Sequence, residues 1–318
     1  DTKIFNNGHP RVIPPQTIGH EACGTVVEID DPGYGVQAGD RVTFQTSIFC
    51  GKCEMCQKGI YNLCEDIHAI SWDYAGTFAE YVAIPKAALN LGNLVKAPVN
   101  LKDEQVALAE PLACVINGQE FLHIMPGETV LVIGAGPIGI MAAAICKKNG
   151  ARKVIITDLN DYRLDLARKM GLFAVNTGRD DLGEVMRQSH MREGFDVALE
   201  MSGSEAAVHQ IVSHMRNGGK ISMLGLANGP IKVDMNQIIT KGLTKSGRIA
   251  EITTKVADKP GTLLQLLKVV ADSGANILSI NHAREDQHSD VGACMVSMVL
   301  ETRDAAHVEQ IRRELTAM

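Results

Sequence analysis

Three hydrophobic rhythms divide the chain. Up to about residue 120 the apolar positions come in short runs: TVVEI at 25–29, RVTFQ at 41–45 and FAEYVAI at 78–84, with Gly, Asp or Pro between them. Short runs of this kind with turn residues between them predict the strands of a small barrel. From Glu128 the runs lengthen. TVLVIG reads as a buried strand, and PIGIMAAAICKKNG as a helix opened by Pro137 and closed by Gly150. KVIITD, FDVALEMS and KISMLGL read as further strands, and DYRLDLARKMG and SEAAVHQIVSHMRNGG as helices. Strand and helix in alternation predict a doubly wound α/β layer, a parallel sheet covered by helices. The third rhythm starts past Lys241. RIAEITTKVA is a strand, DKPG a turn, and TLLQLLKVVADSG an amphipathic helix with Leu263, Leu266, Leu267 and Val270 on one face. ANILSINHARE and GACMVSMVLET are strands, and AAHVEQIRRELTAM is a helix. This βαββα order is ferredoxin-like, and its usual closing strand does not follow. The expected domains are 1–120, 121–243 and 244–318.

Composition narrows the function. A length of 318 residues suits two or three domains. A net charge of −6 and 4% aromatic residues give no footprint for nucleic acid. The apolar run Thr129–Cys146 approaches membrane-spanning length, but its Gly-Pro break argues for a buried strand and helix. No signal-peptide pattern opens the chain. The expectation is a soluble, cytoplasmic protein, in which disulfides are rare.

Four of the eight cysteines fall in CGKCEMCQKGIYNLC, as Cys50, Cys53, Cys56 and Cys64. Two disulfides, an iron–sulfur cluster or four independent thiols would fit the count, but regular Cys-x-x-Cys spacing favours Zn²⁺. Four thiolates fill a tetrahedral shell, so this zinc is structural. Cys23, Cys114, Cys146 and Cys294 sit in apolar runs and read as small core residues. GHEACG sets His20 beside Glu21, two residue types that suit a catalytic zinc, although an exposed His-Glu pair at a strand start reads the same. Glu110 is a lone carboxylate in the apolar run ALAEPLACV; it needs a partner such as a metal, or it opens a helix before Pro111.

GAGPIG places Gly134, Gly136 and Gly139 in G-x-G-x-x-G spacing, with Pro137 and Ile138 between, after a strand and at the start of a helix. That context predicts a dinucleotide site: a tight turn at Gly134, close backbone approach at Gly136, and helix–strand packing at Gly139. Asp158 ends the next strand, where a carboxylate holds the ribose hydroxyls and favours NAD over NADP. Arg163 follows closely and could line the adenine side, or it is a solvated helix residue.

With these residues placed, 1–243 resembles the zinc-dependent medium-chain dehydrogenases, through GHEACG, AGDRV, the four-cysteine loop, GTFAEYV, AEPLA, GAGPIG and GGKISMLG. ITDLNDYRLDLARKMG and GFDVALEMSG look most like the threonine 3-dehydrogenase branch, with the sorbitol-type enzymes next. The resemblance implies a GroES-like β-barrel lobe with a structural zinc, joined to a Rossmann domain. It also implies a catalytic zinc on His20 and Glu21 with Glu110 at or beside it, and hydride transfer from a secondary alcohol (the threonine 3-hydroxyl or a polyol) to NAD. Two departures stand out. The family's C-G-[ST]-D motif aligns so that its Asp falls on Asp1, and Lys3 stands where threonine dehydrogenases often have His. After Lys241 the chain also leaves the family's path back to the catalytic lobe. On these grounds turnover is expected to be impaired. The alternative is a catalytically incomplete NAD- and zinc-binding protein, or a chimeric product.

Residues from about 244 resemble an ACT domain like that of threonine dehydratase, carried by RIAEITTKVADKPGTLLQLLKVVADSGANILSINHAR. The resemblance implies an amino-acid effector site near Asp258, Pro260 and Gly261, with Asn276 a contact or a turn residue. His282 and His288 read as solvated residues around a hairpin turn. Both family resemblances imply a homo-oligomer.

Overall fold

The computed structural model describes residues 1–191, 193–227, 229–257, 259–283 and 293–316. The chain divides into two compact units, Asp1–Asn117 and Gly118–Met318.

The first unit is built from short elements. Strands β1 (Gly24–Thr25), β2 (Arg41–Phe44) and β5 (Leu94–Lys96) form one antiparallel sheet, and β3 (Ser47–Ile48) pairs with β4 (His68–Ala69). The helices are α1 (Thr2–Asn7), α2 (Glu54–Gln57), α3 (Lys86–Asn90), α4 (Asp103–Val106) and α5 (Ala109–Glu120), the last running across the boundary between the units. The expected strand at 25–29 shrinks to β1, and the one at 78–84 is absent. The reason is local. The N–H groups of Gly76, Thr77 and Phe78 donate to the carbonyls of Thr17, Gly19 and Ile18, so this stretch is tied to the approach to His20 rather than to a ladder. Gly19 (φ 106°) and Gly76 make that contact possible: a Cβ on Gly76 would lie 2.5 Å from the Gly19 carbonyl oxygen.

The second unit opens with a five-stranded parallel sheet of β6 (Thr129–Ile133), β7 (Lys153–Asp158), β8 (Phe173–Asn176), β9 (Phe195–Glu200) and β10 (Met215–Met223), in the order β10-β9-β6-β7-β8. Helices α6 (Pro137–Lys148), α7 (Asp161–Lys169), α8 (Leu182–Gln188) and α9 (Glu205–His214) lie between the strands in sequence. Every residue of β6 is buried, as a strand covered on both faces must be. The order reverses between β6 and β9, and a ligand crevice forms at the carboxyl ends of strands at such a switch point. Sequence patterning carried the α9 helix too far. It ends at His214, and MRNGG already belongs to β10, with a register shift between Met215 and Lys220. Gly194 accounts for the sharp entry: a Cβ there would sit 2.5 Å from Arg216 N. The four-residue β8 and the short α8 escaped the reading because neither spans enough periods.

Helix α10 (Met235–Lys245) packs on β10 and on β11 (Ile249–Ala257). Strands β11, β13 (Ala293–Glu301) and β12 (Asn276–Ala283) form an antiparallel sheet in the order β11-β13-β12, with α11 (Thr262–Asp272) and α12 (Ala305–Thr316). This is the predicted βαββα order. Ile252, Leu266, Val270, Val296, Met298, Leu300 and Ile311 make its core. Among the described residues no helix is long and apolar enough to cross a membrane.

Candidate active site and metal centres

The four-cysteine loop closes on itself. Glu54–Gln57 makes a single helical turn and Tyr61–Leu63 a 3₁₀ turn, and these bring Cys50, Cys53, Cys56 and Cys64 together with all four sulfurs within 4.8 Å of one another. Cys53 Sγ and Cys64 Sγ are 3.9 Å apart. That is close to the edge of about 3.8 Å in a tetrahedron of Zn–S bonds near 2.3 Å. All four are free thiols rather than disulfides. Backbone N–H groups aim at the sulfurs: Cys50 N donates to Cys64 Sγ at 3.3 Å and Cys53 N to Cys50 Sγ at 3.4 Å. N–H groups of Glu65 and Cys56 draw the Cys53 thiol down to about 6, while burial pushes Cys56 up to about 12. The donor set fits zinc.

A second cluster stands apart from the first in sequence. His20, Glu21 and Glu110 offer one nitrogen and two oxygens, all within 4.8 Å of one another. Gly19 N donates to Ser71 Oγ at 3.0 Å, which fixes the turn before His20, and α5 carries Glu110 in its first turn. His20 Nδ1 and Asp1 Oδ1 are buried, lie 3.4 Å apart, and have no hydrogen-bond partner. Buried polar atoms are nearly always satisfied, so the unpartnered imidazole nitrogen of His20, with Glu21 and Glu110 beside it, fits a cation. Asp1 was not foreseen as part of this cluster; only its place in the C-G-[ST]-D match could have flagged it. Cys114, expected in the core, is exposed. Its thiol donates to Glu110 Oε1 at 3.5 Å, and burial of the sulfur followed by the Glu110 charge pushes its pKa up to about 11.

The glycine loop sits at the switch point. Gly134 has φ 106° and a Cβ there would be 3.2 Å from the Met201 carbonyl carbon, at the end of β9. Gly136 caps α6, and a Cβ there would meet nothing within 4 Å, which is the open backbone a pyrophosphate needs. A Cβ on Gly139 would lie 1.8 Å from the Gly134 carbonyl oxygen, so helix–strand packing demands glycine. Pro137 and Ile138 form the first turn of α6. Asp158 Oδ2 accepts from Ala135 N at 2.7 Å, and Oδ1 accepts from Leu159 N and Asn160 N. The carboxylate thus braces the glycine loop and keeps lone pairs able to accept further hydrogen bonds. Arg163 is half exposed, its Nη1 3.7 Å from Asp158 Oδ2. Glu200 was missed altogether. It is fully buried at the end of β9 and accepts from Ser202 N at 2.8 Å and Gly203 N at 2.9 Å, shaping the other wall of the switch point. A carboxylate at a strand end just before Ser-Gly was its only sequence signal.

In the C-terminal sheet, Pro260 and Gly261 line a cavity, whereas Asn276 does not join them. Antiparallel register explains this: Asn276 pairs with Glu301, which faces Ile249, while the cavity lies by Val256 and Ala257 at the other end of β11. Asp258 and His288 lie outside the described residues. His282 is exposed, as expected of a solvated residue, and lies near the end of β12.

Known proteins share these features. The family described as alcohol dehydrogenase GroES-like domain matches residues 1–96, zinc-binding dehydrogenase matches 137–259, and ACT domain matches 250–317. The L-threonine 3-dehydrogenase of Edwardsiella ictaluri is 45% identical over 251 residues, covering 78% of this chain and 72% of that protein. The chain belongs to the zinc-dependent alcohol dehydrogenase family. Among solved structures, alcohol dehydrogenase TADH from Thermus sp. ATN1 superposes with a TM-score of 0.68 at 30% identity, covering 76% of this chain and 72% of that one. A short chain alcohol dehydrogenase from E. coli CFT073, complexed with NADH, gives 0.66 at 26% identity, covering 76% and 69%. As a member of this family the chain is a zinc-dependent oxidoreductase that uses a nicotinamide dinucleotide, and it carries an ACT domain.

Proposed function

We propose that this chain oxidises the 3-hydroxyl of L-threonine with NAD⁺, through a catalytic zinc on His20, Glu21 and Glu110 and a structural zinc on Cys50, Cys53, Cys56 and Cys64. The observation that carries the reading is the convergence of one imidazole and two carboxylates within 4.8 Å, in a chain 45% identical to a threonine 3-dehydrogenase. Bound there, zinc supplies a Lewis acid that makes a secondary hydroxyl acidic, and NAD⁺ supplies the hydride acceptor. The protein's own groups do the positioning. Asp1 sets a carboxylate 3.4 Å from His20 Nδ1, beside the imidazole. Ser71 fixes the backbone before His20, and Cys114 holds one oxygen of Glu110. Gly136 and the start of α6 receive the pyrophosphate, and Asp158 selects the unphosphorylated ribose. We assign the domains as 1–120, 121–243 and 244–318. The ACT segment is assigned an amino-acid effector near Pro260 and Gly261, and the protein is assigned a homo-oligomeric state.

The test pairs metal content with turnover. The chain is expected to hold about two zincs and to reduce NAD⁺ with L-threonine faster than with sorbitol. His20→Ala should leave about one zinc and lower kcat/KM by at least about a hundredfold, with NADH binding unchanged. One zinc in the unmodified chain, or equal rates for His20→Ala, would overturn the catalytic assignment.

A further inference from the structure

The cavity at the end of β11 has a chemical feature that neither a dehydrogenase nor an amino-acid effector requires. It measures about 440 Å³ and is lined by Lys259, the Gly261–Thr262 start of α11, His282 and Cys294, among others. Cys294, on β13, is only 3% exposed, yet it lines this space. His282 Nε2, on β12, is 3.0 Å from Cys294 Sγ. The two strands pair so that Val296 stands opposite His282, which places the imidazole diagonally across the ladder from Cys294. Gly261, in the left-handed conformation at φ 94°, caps α11 without a side chain, so the first turn of the helix borders the cavity bare.

We infer that Cys294 and His282 form a thiol-exchange site, at which Cys294 takes up one half of a small anionic disulfide. Cys294 Sγ attacks one sulfur of the disulfide, and its proton passes to His282 Nε2. A new S–S bond joins Cys294 to one half, the old S–S bond breaks, and the other half leaves as a thiolate that recovers the proton from the imidazole. No outside oxidant is needed, because the disulfide is itself the two-electron acceptor. An imidazole in contact with a thiol is the arrangement that activates cysteine nucleophiles. The lysine and the positive end of α11 favour a half that carries carboxylates. Cys146 is the internal contrast. It is as deeply buried, at 0% exposure, but its thiol donates to Gln119 Oε1 at 3.3 Å and has no imidazole as hydrogen-bond partner among the described residues. Burial alone would leave both cysteines inert.

The experiment exposes the full zinc-loaded chain to glutathione disulfide, with cystamine as a cationic comparison, and follows each cysteine by peptide mass mapping. Cys294 is expected to form the mixed disulfide at least about tenfold faster than Cys146. His282→Gln should slow Cys294 about tenfold while the thermal unfolding midpoint of the chain stays unchanged, which reports that the fold is intact. Lys259→Gln should slow the reaction with glutathione disulfide and leave cystamine unaffected. Cys294 reacting no faster than Cys146, or an unchanged rate in His282→Gln, would overturn the exchange site. Equal slowing of both reagents by Lys259→Gln would overturn its preference for anions. None of these readouts depends on threonine turnover, so failure here leaves the catalytic proposal standing, and the reverse.

Discussion

The two units of this chain reach order by different means. In Gly118–Met318 the order is hydrophobic: β6 is buried at every position, and Leu131, Ile155, Phe195, Ala198 and Ile211 fill the space between sheet and helices. In Asp1–Asn117 no strand exceeds four residues. Strands so short bury little apolar surface, and side-chain clusters take over. Arg41 donates to the Leu101 carbonyl and to Asp103, Arg11 pairs with Asp73, and four cysteines converge in one loop. Where a core is thin, ligand clusters and ion pairs hold the chain, as in small metal-bound domains generally. Where the core is thick, functional groups can sit at its rim, as the glycine loop does at the end of β6.

This contrast is broken most strongly by removing the loop metal. Cys53→Ser is expected to lose one zinc and to open the Cys50–Cys64 loop, with proteolytic cleavage there at least about tenfold faster than in the parent chain. The parallel sheet should be untouched, so NADH affinity should hold. Loss of NADH binding together with the zinc would show that the two units are not independent in the way their cores suggest.

The next test lies inside the thick core. Gly139→Ala puts a methyl 1.8 Å from the Gly134 carbonyl, so α6 must move off β6. Overpacking of this severity should cost about 3 kcal/mol and abolish nucleotide binding. Gly136→Ala adds its methyl to open space and should leave stability nearly unchanged while weakening NADH at least about tenfold, because the group there obstructs the phosphate path. Thermal unfolding and NADH titration of both variants separate a packing glycine from a binding glycine. Equal loss of stability in the two would remove that distinction.

The same contrast governs what could be read from sequence. In the second unit the alternation of strand and helix was legible because each long strand and helix spans several periods of its own rhythm. Failures fell on elements too short to show a period, β8 and α8, and on the close backbone approach at Gly194 that cut α9 short. In the first unit periodicity failed, and the barrel strands at 25–29 and 78–84 were overcalled. The donor residues were nevertheless legible, because cysteine spacing and GHEACG are chemical signals that need no period. Glu200 and Asp1 were missed for the opposite reason. A single carboxylate has neither spacing nor period, and only the fold shows what surrounds it.

The finest test asks whether charge also matters inside the hydrophobic unit. Asp196 lies on β9 and accepts from both Thr129 N and Thr129 Oγ1 at 2.7 Å, while Arg216 pairs with its other oxygen at 2.5 Å. One carboxylate thus ties β6, β9 and β10 together. Burial by itself would raise its pKa, but the two Thr129 bonds and the Arg216 charge outweigh it and hold the carboxyl below the ordinary range. The sign follows from linkage. A carboxyl whose pKa is lower folded than unfolded stabilises the fold above the unfolded value, near 3.9, and that stabilisation is lost as pH falls through the folded value. Asp196→Asn should therefore be less stable than the parent at pH 7 by about 2 kcal/mol, the scale of hydrogen bonds to a charged group. The gap should shrink as pH drops from about 5 toward 3, because only the parent has this proton to gain. Urea unfolding followed by helical ellipticity at several pH values measures both. A gap that stays constant across that range would mean that Asp196 acts through its shape and hydrogen bonds alone, and that the parallel sheet owes nothing to this part-buried charge on β9.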